Sequence, residues 1–115
     1  MPINDALLNV GAGAMRTAAS HLSIHTALPN ASGSNESTAA RKPANWGAVS
    51  GSGDFTATNI AFTGGAASGP ATHVGLWSAV TGGTFYGYFP LVGDQTFNAA
   101  GEYTVTSVSL DGSAT

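Results

Sequence analysis

His21 and His25 are the first side chains able to hold a metal, because a four-residue spacing places two imidazoles on one face of a helix. The protease form of that motif needs Glu directly after the first His, and Leu22 stands there. On a strand the two rings share a face about 13 Å apart, at about 3.3 Å per residue, too far to share one ion. Neither metal nor any other cofactor is therefore expected. His73 has the ring of a general base, but with twelve serines and six acids in the chain a Ser-His-Asp coincidence carries no information. No serine sits in a nucleophile-elbow glycine pattern either, so no catalytic residues are expected. Gly51-Ser52-Gly53-Asp54 and Gly64-Gly65 lack the Lys-Ser/Thr pair or following helix that would hold a phosphate, and read as turns. Asn30-Ala31-Ser32 and Asn35-Glu36-Ser37 fit the N-glycosylation pattern by chance, because no secretory signal precedes them. Trp46, Trp77, Tyr86, Tyr88 and Phe89 offer more: aromatics beyond the needs of a core stack on sugars or anchor a protein interface, although strands also use them as packing.

The elements that position these residues follow from periodicity. Residues 3–19 read as one helix, with Asn4 or Asp5 accepting from an early backbone N–H, and with Ile3, Leu7, Val10, Ala14 and Ala18 forming a narrow apolar stripe. Gly11 and Gly13 each cost that helix about 1 kcal/mol relative to Ala, which suggests close backbone approach to a neighbour. The stripe packs either on the sheet of its own chain or on another subunit. From residue 20 the period becomes two, as Leu22, Ile24 and Thr26 alternate with Ser23 and His25. Residues 29–39 read as loop, rich in turn formers and without apolar periodicity. Short strands follow at 44–49, 54–62, 73–79, 84–91 and 103–110. The Thr81-Gly82-Gly83-Thr84 run predicts a two-residue hairpin turn, and the alternation slip near Ser107 predicts a β-bulge. The result is a mainly β chain: a small antiparallel β-sandwich or barrel at 20–115 preceded by one N-terminal α-helix at 1–19, one domain overall.

Composition bounds the partners. Ala, Gly, Ser and Thr make up 61 of 115 residues and Leu, Ile, Val and Phe only 22, so the core must be thin. Nine charged residues are few for an independent soluble surface, which points to neighbouring subunits or to solvation by Ser, Thr and Asn. Arg16, Arg41 and Lys42 form no stripe able to neutralise several phosphates, which sets nucleic acid aside. No apolar run is long enough to span a bilayer, so no membrane partner is expected. Asp5, Asn9, Gly11 and Gly13 spoil the first twenty residues as a signal peptide, so synthesis in the cytoplasm without export is expected.

The strings Leu22-Ser23-Ile24-His25-Thr26-Ala27-Leu28-Pro29 and Thr72-His73-Val74-Gly75-Leu76-Trp77 are the specific part of a wider pattern. With Gly33, Asn35-Glu36, Arg41, Trp46, Asn59, Phe62 and Thr81-Gly82-Gly83-Thr84, the chain from residue 20 to about 105 resembles small virion proteins of tailed bacteriophages, of the tail-fibre-like or minor tail kind. Ser78 stands where such relatives often have Asp. The resemblance implies a noncatalytic structural component of the virion, tail- or fibre-associated, without cofactor, packing against itself and a larger virion protein. Capsid-surface decoration is the alternative, and a carbohydrate-binding module for a host-surface glycan a further one. A homo-oligomer is expected, a trimer by analogy with fibres and decoration proteins, with Leu7, Val10, Ala14, Ala18, Trp46, Trp77 and Tyr88 as candidate interface residues.

Overall fold

Asn4 opens the helix, its side-chain oxygen accepting from the Leu7 N–H at 3.0 Å, which satisfies one of the donors that the first turn leaves without a partner. In the computed structural model, which describes residues 4–51 and 53–110, helix α1 spans Asp5–Ala18. Six strands follow: β1 His21–His25, β2 Lys42–Pro43, β3 Phe55–Phe62, β4 His73–Trp77, β5 Phe85–Pro90 and β6 Tyr103–Leu110. All pairings are antiparallel, in a four-stranded sheet ordered β2-β1-β4-β5 and a two-stranded ribbon β3-β6. Leu22, Ile24, Val74 and Leu76 on one face of the sheet join Phe55, Ile60, Phe62, Val105 and Val108 of the ribbon in one core, so the architecture is the expected sandwich, with an N-terminal helix.

Three local expectations need correction. No strand forms at 44–49, because Asn45 takes a left-handed conformation at φ 51° and breaks the extended run; only Lys42–Pro43 pairs with β1. The hairpin of β4 and β5 exists, but β4 ends at Trp77 and the connection runs from Ser78 to Thr84, longer than two residues. Gly82 and Gly83 nonetheless supply positive φ within it, at 62° and 76°, and Ser78 Oγ braces it by accepting from the Thr84 N–H. The register of β3 on β6 shows no bulge: Thr58 pairs with Ser107 and Ile60 with Val105, without a shift. Instead Asn59 adopts φ 53°, and Thr58-Asn59 and Thr106-Ser107 all face outward, so both strands switch face at the same level. A register irregularity does occur between Leu76 and Trp77, where Tyr86 is the extra residue of β5.

The helix also sits differently. Gly11 and Gly13 have open space around them, and the close backbone approach is made by Gly53, whose N–H donates to Asn9 Oδ1 at 2.8 Å beneath Leu8. Ala12 is the buried residue of α1. Arg16 Nη2 donates to the Trp46 carbonyl at 3.0 Å, so the helix rests on the segment around 46–53. Its larger apolar side chains Leu7, Val10 and Met15 point to solvent. Ile3 and Ser52, which belong to the expected stripe and turn, lie outside the described residues.

Candidate functional site

The face of the four-stranded sheet that points away from the core carries Ser23 and His25 on β1, Gly75 and Trp77 on β4, and Phe85 on β5. Alternation alone would leave this face wet, yet Ser23, His25, Gly75 and Trp77 are buried, because residues 26–41 fold over them, while His21, His73 and Phe85 are half-buried and Tyr88 is exposed. The polar groups on this face form a directed chain. The Ser34 carbonyl can only accept, so His25 Nδ1 bears the hydrogen and donates to it at 2.8 Å. Nε2 then accepts from the Ser23 hydroxyl at 2.6 Å, and Ser23 Oγ accepts from Trp77 Nε1 at 2.8 Å. Burial lowers the pKa of His25 from its ordinary 6.5, which keeps the ring neutral. The Ser–His contact has the reach of a nucleophile and its base, but both residues are fully buried and the second ring nitrogen meets a backbone carbonyl, so the hydroxyl faces no opening to a substrate.

Arg41 closes the network from above. Its guanidinium lies 3.5 Å over the Trp77 ring and pairs bidentately with Glu36, through Nε at 2.8 Å and Nη2 at 3.0 Å. Nη1 donates to the carbonyls of Ala79 and Gly82, which ties the covering loop to the hairpin connection. Gly33 is needed beneath this layer: a Cβ there, at φ 81°, would stand 2.6 Å from the Trp77 ring. Asn30 and Asn35 are turn makers in the same loop, Asn30 Oδ1 accepting from the Ser32 and Ser34 N–H groups and Asn35 holding φ 61°. The arrangement fixes a loop and a hairpin to a sheet through one cation and one imidazole.

The expected interface residues fall into three places. Leu7 and Val10 are 58% and 69% exposed, and with Ala14, Met15 and half-buried Ala18 they share one face of α1. Met15 was missing from the expected stripe although the spacing from Leu7 would have included it. Trp46 is 9% exposed, donating from Nε1 to the Ala19 carbonyl and packing edge-on against Phe55. Trp77 is 7% exposed under Arg41. Tyr88, on the edge strand β5, is 41% exposed and meets His73 edge to face at 5.4 Å. His21 and His25 stand at opposite ends of β1, facing Trp77 and His73 respectively. The network of Ser23, His25, Glu36 and Arg41 gave no sign of itself in composition. The one available signal was a full-sized Trp on the same face as Ser23 and Gly75.

No helix among the described residues is long and apolar enough to cross a membrane. Residues 3–113 match the family described as Podophage GP4 fiber I protein gp80. No curated protein matches the chain.

Proposed function

Because the chain belongs to the Podophage GP4 fiber I protein gp80 family, a family of phage fibre structural proteins, we propose that it is a noncatalytic building block of the fibre, packing against copies of itself and against a larger virion protein. The observation that carries the packing is the outward apolar face of α1, where Leu7, Val10 and Met15 stand exposed on a chain with few charges to solvate them. Its occupant is the same face of a second copy, in a homo-oligomer for which a trimer is the first expectation. The glycan alternative by aromatic stacking draws less support, since Trp46 and Trp77 have their rings taken up inside the chain and only Tyr86 and Tyr88 are open. No observation favours capsid decoration over the fibre.

Sedimentation velocity tests the packing. The parent chain is expected to self-associate, and Leu7→Ser combined with Val10→Ser to shift it toward monomer with an unchanged circular dichroism spectrum. A parent that stays monomeric at every concentration and is absent from purified particles would defeat the reading.

A further inference from the structure

A sheet edge exposes unpaired backbone groups and invites another chain, so folded proteins blunt their edges with short strands, Lys, Pro, bulges or a covering segment. Three of the four edges here are blunted. Strand β2 is two residues long and consists of Lys42 and Pro43. Strand β5 carries Pro90 and the irregularity at Tyr86. The outer edge of β3 is engaged where the Thr56 carbonyl accepts from the Gly47 N–H at 2.9 Å. Strand β6, on the other side of the ribbon, has eight residues without proline or charge and no register shift on β3. It borders an open groove of about 330 Å³ whose far wall is formed by residues 89–92, and Val92, 90% exposed on that wall, shows that the chain itself leaves the groove uncovered.

The backbone of β6 specifies what pairs with it. Because every residue has the same hand, the face that a side chain takes on a strand fixes the side to which that residue's N–H and C=O point. Thr56 faces outward and points its carbonyl away from β6. By the same rule the outward-facing residues of β6, Thr104, Thr106, Ser107 and Ser109, turn their N–H and C=O away from β3 and into the open edge. No turn or loop bond among the described residues takes these groups. The order of faces along β6 is the same from either end: Tyr103, Val105, Val108 and Leu110 face inward, and the outward pair Thr106-Ser107 stands at the centre. A strand that follows β6 in phase must therefore switch face at its own centre. Strand β5 alternates strictly and cannot do so, which leaves the seam between β5 and β6 open. Among the described strands β3 and β6 alone carry two exposed residues side by side, and β3 is already paired.

We propose that the occupant of this edge is β6 of a second copy, paired antiparallel about a two-fold axis that passes between Thr106 and Ser107. Thr106 then exchanges backbone hydrogen bonds with Ser107 of the partner subunit, and Thr104 with Ser109 of the partner subunit. Val105 lies opposite Val108 of the partner subunit, so inward side chains meet inward ones, and within the strand no charge meets a like charge. A two-fold contact of this kind makes every pairing twice and joins the two ribbons into one four-stranded sheet, β3-β6-β6-β3. It uses no residue of α1, so it stands apart from the packing proposed for that helix.

Disulfide trapping in the full chain, which has no cysteine of its own, reads the register. Thr104 and Ser109 are exposed and stand about 17 Å apart along the strand, at about 3.3 Å per residue, too far to bridge within one chain. Residues that exchange backbone bonds across strands have Cα atoms about 5.5 Å apart, within disulfide reach. Thr104→Cys combined with Ser109→Cys is therefore expected to become covalent dimer on mild oxidation, with at least tenfold more dimer than either single variant, since no residue faces its own copy in this register. Adding Thr106→Pro, which removes an N–H of the open edge and no bond of the ribbon, should cut the dimer yield at least tenfold with an unchanged circular dichroism spectrum. The yield should be unaltered when Leu7→Ser and Val10→Ser are also present, so failure of the α1 contact leaves this one standing. Absence of dimer in the double cysteine variant, equal dimer in the single variants, an unchanged yield with Thr106→Pro, or a disulfide formed instead to another protein of the purified particle would overturn the proposal.

Discussion

A neutral imidazole at position 25 is required by its partners, and the requirement has a pH dependence. Burial is the largest cause of the lowered pKa of His25; the Ser34 carbonyl and Glu36 oppose it, while His73 and Arg41 add to it. Because the folded ring binds its proton less readily than the unfolded one, the stability it contributes is complete above pH 6.5 and is lost as pH falls below that value through the folded pKa. Thermal unfolding of the parent should therefore show a melting temperature that declines with acidification in that window. His25→Gln, which can still donate to Ser34 and accept from Ser23, should flatten the decline; an equal slope in both proteins would disprove the assignment. Ser23 and His25 also show why this layer was hard to read. On an alternating strand a Ser and a His mark the solvent face, and nothing in the order of residues reveals that Arg41, from a distant loop, will cover them.

At the level of elements, glycines with similar φ carry different burdens. Gly82, at φ 62°, has no atom near its missing Cβ, so Gly82→Ala should cost only the left-handed backbone preference, about 1 kcal/mol. Gly33, at φ 81°, would drive a methyl into Trp77 and Phe85, so Gly33→Ala should add an overpacking cost and total about 3 kcal/mol. Chemical denaturation of the two variants gives the ranking, and a smaller loss for Gly33→Ala would show that the covering loop is not held against Trp77. Strands β3, β4, β5 and β6 were legible because Phe, Val, Ile, Leu and Tyr recur at period two between turn formers. Residues 44–49 were not, since Trp46 and Val49 resemble a strand until Asn45 turns left-handed. The helix was legible in place, while its orientation stayed open between its own sheet and another subunit: Leu7 and Val10 turn to solvent, and Ala12 is the residue buried where the helix approaches the loop bearing Gly53.

Over the whole molecule the net charge is only −3 and the exposed helix face is apolar, so self-association should depend on water more than on charge. Sedimentation in rising sodium sulfate is expected to show equal or stronger association, because excluded salts favour apolar burial. Weakening by moderate sodium chloride would point to an ionic contact instead. The chain measures 47 × 25 × 21 Å, and the ribbon of β3 and β6 links the end where Trp46 packs on Phe55 to the end where Phe97 packs on Tyr103. Its switch of face at Thr58-Asn59 and Thr106-Ser107 means that each strand holds one residue more than strict alternation allows, and the two surpluses cancel. An insertion or deletion in one strand alone would slide half the ribbon by a step and turn its core residues outward. Removing Asn59 together with Thr106 would leave every pairing beyond the gap in phase, so changes of length in this ribbon are tolerable only in matched pairs.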